Sequence, residues 1–388
     1  MKAYIQLKHH IGSPCKAIVQ IGDRVKRGQL IAMPSEMGAN IHASVSGEVV
    51  EVTTAQIIIS MDESQSTDYV PIPNASCHLE AIELAGIVGA GGAGFATHLK
   101  YNTKIEDGYV IANGVECEPL LGHNVKLMED HPEIIIRGLK YLLEISQGKT
   151  AYIAIKSKYH KAVLALEEAC KNESNIEIKF IPDIYPAGDE RVIIRELLGV
   201  ELRPGQLPTH ANAIVSNVET IKCVVEAIEL RKPYIDKDIT VAGRVKDPKI
   251  FVNQPIGIPI SHYIEKCGGY IEPYGEIVIG GPFTGQQTVP EAPLTKTTGG
   301  ILVAMPFPQE HRKIGLLVCE CGAPEERLRE IAEGMASDVV LTLKCKRMVE
   351  HHGRDRCDLP GMCPGQLENI LAMKKAGAET VLTSSCDP

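Results

Sequence analysis

Hydrophobic and polar positions alternate differently along successive parts of the chain. Between residues 14 and 52, short apolar segments are separated by turn residues such as Gly22-Asp23, a pattern typical of a small β module. Strands are predicted there at residues 17–21, 30–33, 41–43 and 49–52. We therefore expect a β domain over residues 1–75.

From about residue 79 to residue 225, apolar strands alternate with helix-length segments. The pattern predicts strands at residues 109–112, 151–155 and 176–181, and helices at residues 131–144, 162–170 and 191–198. This succession is that of an α/β domain, which we expect over residues 76–235.

Two smaller units are predicted after the α/β domain. Two strands, a helix and a further strand follow between residues 239 and 279, too compactly for another doubly wound unit, and this predicts a β-grasp insert over residues 236–310. A last α/β pattern, with strands at residues 314–318, 339–343 and 380–382 and helices at residues 325–335 and 366–374, predicts a cysteine-rich domain over residues 311–388.

Charge and composition narrow the function classes. The 40 basic and 49 acidic residues of the 388-residue chain leave a net charge of −9, which argues against a nucleic-acid partner. No apolar run approaches the roughly 20 residues that span a bilayer, and the first residues lack the pattern of a signal peptide. We expect a cytoplasmic protein without membrane insertion, whose 12 cysteines serve as thiols, metal ligands or redox groups rather than structural disulfides.

A glycine-rich segment lies between an apolar stretch and a predicted helix start. Residues 88–95 (VGAGGAGF) can bring bare main-chain N–H groups up to a phosphate, and they can equally form a tight turn that needs glycine dihedral angles. The spacing is neither the Rossmann pattern G-x-G-x-x-G nor a Walker loop, because no Gly-Lys-Ser/Thr follows. The segment alone leaves both interpretations open.

Three polar segments follow at predicted element boundaries, namely residues 113–119 (NGVECEP), 185–191 (YPAGDER) and 216–220 (SNVET). The first comes directly after a predicted buried strand, where an α/β sheet offers a crevice beyond its strand ends. Taken singly, each segment is explained by a loop or a helix cap, because Asn, Asp and Thr are ordinary capping residues.

Together and in this order, the four segments resemble the flavin-binding domain of the NADH-oxidising subunit of respiratory complex I and of the related RnfC subunits of Rnf electron-transfer complexes. Residues 22–49 resemble the barrel-sandwich hybrid of biotinyl and lipoyl carrier domains, although the hairpin at residues 34–38 (PSEMG) has no lysine to acylate. The order of the barrel-sandwich segment, the β-grasp insert and residues 296–301 (KTTGGI) is the same as in RnfC subunits. The resemblance therefore covers roughly residues 10–308.

The resemblance implies a multidomain α/β fold with four parts. These are an N-terminal barrel-sandwich hybrid, a flavin-binding α/β domain of the complex I NADH-subunit type, a β-grasp (SLBB-like) insert and a C-terminal cysteine-rich α/β domain. By position it also assigns a site for flavin mononucleotide (FMN), in which Gly91, Gly92 and Gly94 would hold the phosphate through main-chain N–H groups and Lys100 would supply positive charge.

Other positions of the implied site concern the flavin ring and the electron donor. The resemblance places around the ribityl chain and the isoalloxazine Asn113, Glu116, Glu118, Glu190, Asn217 and Thr220. Phe95 would shape the face that receives a nicotinamide. Complex I has a further nucleotide-contacting acid where this chain has Val115, so NADH as the donor follows less directly from the resemblance than FMN does.

The C-terminal part departs from RnfC because it lacks the two Cys-x-x-Cys-x-x-Cys-x-x-x-Cys-Pro runs that hold iron-sulfur clusters there. Instead, six cysteines lie in the last 70 residues: Cys319, Cys321, Cys345, Cys357, Cys363 and Cys386. Their spacing matches no standard zinc or cluster pattern, although distant ligands can converge in a fold, which keeps an iron-sulfur cluster open with Cys345, Cys357 and Cys363 as candidate metal ligands.

Thiol redox chemistry is the other interpretation of the tail. Cys319, Cys321 and Cys386 follow predicted strands and are expected at one rim of the sheet, where redox thiols are presented near helix N-termini. For Cys170, Cys223 and Cys267, which lie in apolar helical runs, the structural interpretation as small hydrophobic side chains is favoured.

A flavin body without ferredoxin clusters but with a thiol-rich tail resembles the electron-transfer proteins associated with proline reductase, the PrdC type. This implies a soluble carrier of electrons from NADH or the membrane Rnf complex, through FMN and the tail thiols, to a reductase such as D-proline reductase in amino-acid fermentation. Because Cys386-Asp387-Pro388 stops just short of a Cys-x-x-selenocysteine motif, we expect a selenocysteine at the next position. The alternatives are a docking scaffold with a decayed flavin pocket and an iron-sulfur one-electron relay.

Overall fold

The computed structural model describes residues 1–92 and 94–383 of the chain. Within these residues, no helix combines the length and the apolar character that crossing a membrane requires. The fold follows the predicted succession of a β module, a parallel α/β domain, a second β-rich unit and a small α/β tail.

The first module packs two antiparallel sheets over one apolar core. Its strands are β1 (Lys2–Gln6), β2 (Lys16–Ala17), β3 (Arg24–Val25), β4 (Leu30–Met33), β5 (Ile41–His42), β6 (Gly47–Val52) and β7 (Gln56–Met61). One sheet has the order β1-β7-β6-β3 and the other the order β2-β4-β5. Alternate side chains of β1, such as Ala3 and Ile5, point into the core, as period-two patterning requires.

The α/β domain contains a parallel sheet covered by helices. Its elements are α1 (His78–Leu84), α2 (Thr97–Tyr101), β8 (Tyr109–Asn113), α3 (His123–Asp130), α4 (Pro132–Ser146), β9 (Thr150–Ile155), α5 (His160–Cys170), β10 (Ile176–Phe180), α6 (Glu190–Leu198), a 3-10 helix (Pro208–Ala211), β11 (Ala213–Asn217) and α7 (Val218–Leu230). The sheet order is β10-β9-β8-β11. Because the strands are parallel, their carboxyl ends lie at one edge, where Asn113 of β8 faces Asn217 of β11.

The next unit is a mixed sheet with one helix against it, as predicted for a β-grasp insert. It comprises β12 (Asp236–Gly243), β13 (Lys249–Pro255), α8 (Ile260–Lys266), β14 (Ile277–Ile279), β15 (Gln286–Thr288) and β16 (Gly300–Val303). The order is β13-β12-β16-β14-β15, with β12 and β16 parallel in the middle. Its apolar side chains share one core with the first module.

The tail is a small parallel sheet with a separate hairpin. It comprises β17 (Lys313–Val318), α9 (Glu325–Gly334), β18 (Asp338–Lys344), β19 (Met348–His351), β20 (Arg354–Cys357), α10 (Leu367–Lys375) and β21 (Thr380–Thr383). The sheet order is β18-β17-β21, and β19 pairs only with β20 among the described strands.

Some sequence predictions of strands were wrong. The strand predicted at residues 17–21 is only Lys16–Ala17, and the apolar Ile18 and Ile21 that suggested it are exposed. The strands β1, β3, β7, β11, β15 and β16 were not predicted, nor was the hairpin β19–β20, whose exposed residues are mostly polar. The hairpin and β15 carry little hydrophobic periodicity, so the pattern does not reveal them, whereas β1, β7 and β16 have apolar positions that could have revealed them.

Lys296 joins three of the units. Its ammonium is buried and donates hydrogen bonds to the main-chain oxygens of Asn40, in the first module, at 2.8 Å and of Gly86, in the α/β domain, at 2.7 Å. The Tyr234 hydroxyl donates to the carbonyl of Lys296 at 2.7 Å. Burial lowers the pKa of Lys296 to about 8. The segment after Lys296, with Thr297 and Gly299, is thereby fixed at the edge of the α/β sheet.

Candidate functional site

A cavity of about 630 Å³ opens at the carboxyl edge of the parallel sheet, beyond the ends of β8 and β11. This volume is typical of a small-molecule site. The cavity is walled by the glycine-rich segment, by the start of α6, by the β-grasp unit around Gly280 and Thr297, and by Glu320 and Cys321 of the tail. Of the predicted cofactor residues, those that line it are Gly91, Gly92, Phe95, Lys100, Asn113, Glu116, Glu118, Glu190, Asn217 and Thr220.

The glycine-rich segment turns at the mouth of the cavity. Gly92 and Gly94 have φ angles of 97° and 62°, in the region that glycine alone enters without cost, so the tight-turn interpretation is correct. Gly91 and Gly92 are exposed beside the cavity, whereas Gly94 is buried away from it and accepts a hydrogen bond from the Ile11 N–H at 2.9 Å. Thr220 fixes the segment by accepting a hydrogen bond from the Ala90 N–H at 2.9 Å.

Lys100 and Glu190 form an ion pair in the cavity wall. The Lys100 ammonium lies 2.8 Å from Glu190 Oε1 and also donates to the Val215 carbonyl. Glu190 is the first residue of α6, and Asp189 caps that helix by accepting from the Arg191 N–H at 2.7 Å. Lys100 therefore presents positive charge to the cavity from a fixed position.

The polar residues at the strand ends have structural partners as well as a cavity face. Asn113 accepts from the Val115 N–H at 3.1 Å and donates to the Gly188 carbonyl at 3.0 Å. Asn217 caps α7 by accepting from the Glu219 N–H at 2.8 Å. The capping interpretation of these motifs is therefore correct, and it coexists with their position at the cavity.

The two acidic residues that follow β8 differ in their surroundings. Burial raises the pKa of Glu116 to about 7, although its carboxylate accepts from the Glu118 N–H at 3.1 Å and the Asn124 amide at 3.3 Å. The carboxylate of Glu118 instead accepts from the N–H groups of Phe283 at 2.9 Å and Thr284 at 3.1 Å. Glu118 thus holds a β-grasp loop over the cavity.

Two further residues bear on the electron donor. Phe95 lines the cavity and is partly buried. Val115, which stands where complex I has an acid, is buried in an apolar cluster with Ile111 and Ala187. The chain therefore has no carboxylate at this position that could contact a nucleotide.

The tail thiols gather beside the cavity. Cys319 is buried directly after β17, while Cys321 is partly exposed and lines the cavity. Hydrogen bonds join the Cys321 thiol to those of Cys319 and Cys357, and the Cys345 thiol to that of Cys319. Cys363 is exposed, and the predicted redox residue Cys386 lies outside the described residues.

Other observations concern the remaining cysteines. Among the residues that the structure describes, no group of three or more His, Cys, Asp or Glu side chains is arranged to hold a metal ion. The described part of the tail thus gives no support to the metal interpretation of Cys345, Cys357 and Cys363. Cys223 and Cys267 are buried core residues and Cys170 is half-buried, as the helical pattern predicted.

Sequence reasoning did not identify Arg191, Thr284 and Glu320 as parts of the cavity wall. Arg191 ends the polar segment 185–191, and its place at the capped start of α6 was a usable signal. Thr284 and Glu320 come from units far along the chain, and only the packing of those units against the α/β domain brings them to the site.

FMN fits this donor set. The cavity offers exposed main-chain atoms of Gly91 and Gly92, the ammonium of Lys100, and amide, hydroxyl and carboxylate groups at its deeper wall. A Cβ on Gly91 would lie 3.4 Å from the Asn217 side chain, so the glycine main chain directly faces the strand-end amide in the cavity. A phosphate and a planar, polar-edged ring match these groups.

Comparison with protein families gives two matches. Residues 82–226 match the family described as the Nuo51 FMN-binding domain. Residues 1–70 match the family described as the RnfC barrel sandwich hybrid domain. Both agree with the sequence-based fold class.

Several curated proteins are similar to the chain. The C subunit of the proton-translocating ferredoxin:NAD(+) oxidoreductase complex of Clostridium ljungdahlii is 32% identical over 324 residues, which are 78% of this chain and 70% of that protein. The C subunit of the Na(+)-translocating complex of Acetobacterium woodii is 32% identical over 77% of this chain and 72% of that protein. Cobalamin reductase PduS of Salmonella typhimurium is 35% identical, over 60% of this chain and half of that protein.

A solved structure shares the fold. A chain of an NAD+-reducing NiFe hydrogenase superposes with a TM-score of 0.51 at 21% sequence identity, over 59% of this chain and 46% of that chain.

Proposed function

The chain belongs to the RnfC family, the C subunits of ion-translocating ferredoxin:NAD(+) oxidoreductase complexes, and from this premise we propose that it is an electron-transfer flavoprotein that binds FMN in the cavity beyond β8 and β11. The observation that carries the proposal is the convergence of exposed glycines, Lys100, Glu190 and the strand-end amides on one cavity, from the glycine-rich segment, α2, the start of α6 and the ends of β8 and β11.

Different residues of the cavity bind different parts of FMN. The main-chain N–H groups of Gly91 and Gly92 bind the phosphate, and Lys100 compensates its charge while Glu190 and the Val215 carbonyl fix the ammonium. Asn113, Asn217 and Thr220 orient the rest of the ligand from the deeper wall. FMN, when bound, supplies the two-electron and one-electron redox chemistry of the site.

The carboxylates of the cavity disfavour added negative charge. Glu116 is neutral below a pH of about 7 and ionised above it, because burial raises its pKa. Ionised Glu116 lowers the reduction potential of a bound flavin, since it opposes the negative charge that reduction adds. Glu118 fixes the Phe283–Thr284 loop, whose Thr284 lines the cavity.

The proposal also covers the electron donor and the route by which electrons leave the flavin. NADH, or a carrier reduced by the membrane Rnf complex, delivers electrons at the face shaped by Phe95, and the tail thiols Cys319, Cys321 and Cys386 pass them on. The position of Cys321 in the cavity wall supports this route for the electrons. The tail's resemblance to the PrdC type supports D-proline reductase as the acceptor. An iron-sulfur cluster is not part of the proposal.

An anaerobic visible spectrum tests the proposal. The purified chain is reconstituted with FMN, desalted, and recorded before and after addition of NADH. We expect flavin bands that survive desalting and bleach with NADH. Retained bands that NADH leaves unchanged would keep the flavoprotein but exclude NADH as the donor, and absence of retained flavin would favour the docking scaffold.

A pair of lysine substitutions, Lys100→Met and a control, tests whether Lys100 binds the FMN phosphate. Lys100→Met should release flavin on desalting, whereas Lys161→Met, which removes an exposed lysine of α5 remote from the cavity, should retain it. Equal flavin content in both variants would contradict the assigned phosphate position.

A further inference from the structure

Four tail cysteines meet at the carboxyl edge of the small parallel sheet. Cys319 and Cys321 follow β17, and Cys345 follows β18, where its N–H donates to the Val318 carbonyl at 2.8 Å. Cys357 ends β20. Hydrogen bonds connect their thiols in the order Cys345, Cys319, Cys321, Cys357. Of these four, only Cys321 lines the cavity.

The α/β domain holds the Cys321–Cys357 end of this series by main-chain contacts. The Tyr185 hydroxyl donates to the Cys321 carbonyl at 2.6 Å. The Arg191 guanidinium donates to the Cys357 carbonyl at 2.8 Å and lies 3.2 Å from Glu320 Oε2. The Glu320 carboxylate also accepts from the Cys357 N–H, so one side chain links the two cysteine positions.

The two thiols differ in acidity. Hydrogen bonds with Cys319 and Cys357, together with burial, raise the pKa of Cys321. The hydrogen bond from Cys321 lowers the pKa of Cys357, and the positive charge of Arg191 lowers it further. Two cysteine thiols in hydrogen-bond contact, one of them made more acidic by that contact, are the arrangement of redox-active dithiols. The cavity thiol of Cys117 differs, because burial raises its pKa to about 11.

We propose that Cys321 and Cys357 form a redox-active dithiol/disulfide pair that exchanges two electrons with the flavin of the adjoining cavity. This inference rests on the proposed function and replaces Cys319 by Cys357 as the partner of Cys321. In the reductive step the Cys321–Cys357 S–S bond breaks and two S–H bonds form, taking two electrons and two protons, while dihydroflavin is oxidised to flavin. A disulfide or another two-electron acceptor of a partner protein then re-oxidises the pair.

The pairing is tested without relying on activity. The full-length chain, with and without FMN, is equilibrated anaerobically in dithiothreitol buffers of graded oxidation, free thiols are alkylated, and peptides are mapped by mass spectrometry. We expect one reversible disulfide that links the Cys321 and Cys357 peptides. Cys321→Ser and Cys357→Ser should each abolish it and leave the other thiol alkylated. Cys77→Ser and Cys363→Ser, which change exposed thiols, should preserve it.

Three outcomes would overturn the inference: a disulfide from Cys321 to any other cysteine, full alkylation of both residues under oxidising conditions, and native mass spectrometry that finds a metal ion held by these thiols. The electron step is checked separately. With FMN reduced by dithionite in stoichiometric amount, the disulfide should disappear as the flavin re-oxidises. Bound flavin that leaves the disulfide intact refutes the inference alone, whereas a reversible disulfide in a chain that binds no flavin refutes the proposed function and the electron step but leaves the Cys321–Cys357 pairing in place.

Discussion

Arg191 and Glu320 form an ion pair of 3.2 Å that joins the start of α6, in the α/β domain, to the turn between Cys319 and Cys321 in the tail. Both side chains are largely shielded from solvent, with exposed fractions of 12% and 18%. The pair therefore connects the cavity wall to the tail thiols with little screening by water.

Arg191→Met should make the Cys357 thiol less acidic. Removing the guanidinium removes one of the charges that lower the pKa of Cys357, so the thiolate fraction at pH 7 falls. We expect alkylation of Cys357 to slow and its pH profile to move to higher pH, because the thiolate is the form that reacts. The pH dependence of alkylation, read at the Cys357 peptide, measures the shift.

Two variants control this experiment. Arg203→Met removes an exposed arginine and should leave the profile unchanged. Arg191→Lys keeps the charge but loses the two-pronged donor geometry and should give an intermediate profile. Identical profiles for wild type and Arg191→Met would show that Arg191 does not tune the thiol.

The sequence predicted the site less completely where its residues lie far apart along the chain. Asn113 follows a predicted strand, but β11, the parallel strand that brings Asn217 beside it, was not predicted, so only the family resemblance grouped the two residues. Glu118 was predicted to line the cavity, but its clamp on Phe283 and Thr284 depends on how the β-grasp unit docks. Cys357 was considered only as a metal ligand, because the polar hairpin that brings it to Cys321 has no periodic signal.

Glu190→Ala should weaken flavin retention. The change removes one of the two groups that fix the Lys100 ammonium, the other being the Val215 carbonyl, and allows it to leave the phosphate position. We expect a loss in FMN affinity of roughly tenfold, in line with the 1.5 kcal/mol or more of a hydrogen bond to a charged group. Fluorescence titration of the apoprotein with FMN measures it, and unchanged affinity would remove Glu190 from the site.

Glu116→Gln should change how stability depends on pH. The ordinary pKa of 4.5 describes the unfolded chain and the value of about 7 the folded one, so between these pH values the unfolded state binds fewer protons. The free energy of unfolding of the wild type therefore falls as pH rises from 4.5 to 7. Glutamine does not titrate, and the variant should gain about 2 to 3 kcal/mol relative to wild type between pH 5 and pH 8.

Urea unfolding at both pH values measures this gain. Glu201→Gln, at an exposed position, serves as the control and should follow the wild type at each pH. A constant difference between Glu116→Gln and wild type would mean that Glu116 titrates alike in the folded and unfolded states.

Glu118→Ala should release the β-grasp loop from the cavity. The change deletes acceptors for the Phe283 and Thr284 N–H groups, which become accessible to water. We expect faster hydrogen exchange at residues 281–285 and a destabilisation of roughly 1 to 3 kcal/mol. Glu291→Ala, an exposed change in the same unit, should leave exchange at this loop unaltered. Unchanged exchange in Glu118→Ala would assign the loop's position to other contacts.

Gly92→Ala tests the conformation of the glycine-rich segment. A Cβ at this position meets no atom within 4 Å, so any cost comes from the φ angle of 97°. Alanine is strained there by about 1 to 2 kcal/mol with or without FMN, so we expect the free energy of unfolding to fall by that amount while FMN affinity changes less than threefold. A tenfold or larger change in FMN affinity would show that the segment takes a different conformation in the complex.

The burial of Lys296 limits which units of the protein can be removed or exchanged. Its ammonium hydrates fully only when the first module and the α/β domain both withdraw from it, because each supplies one of its carbonyl partners. Excising either unit would leave the other facing an unsatisfied cation, so neither is an interchangeable cassette. Modular recombination within this architecture is expected to fail at the boundaries that Lys296 spans.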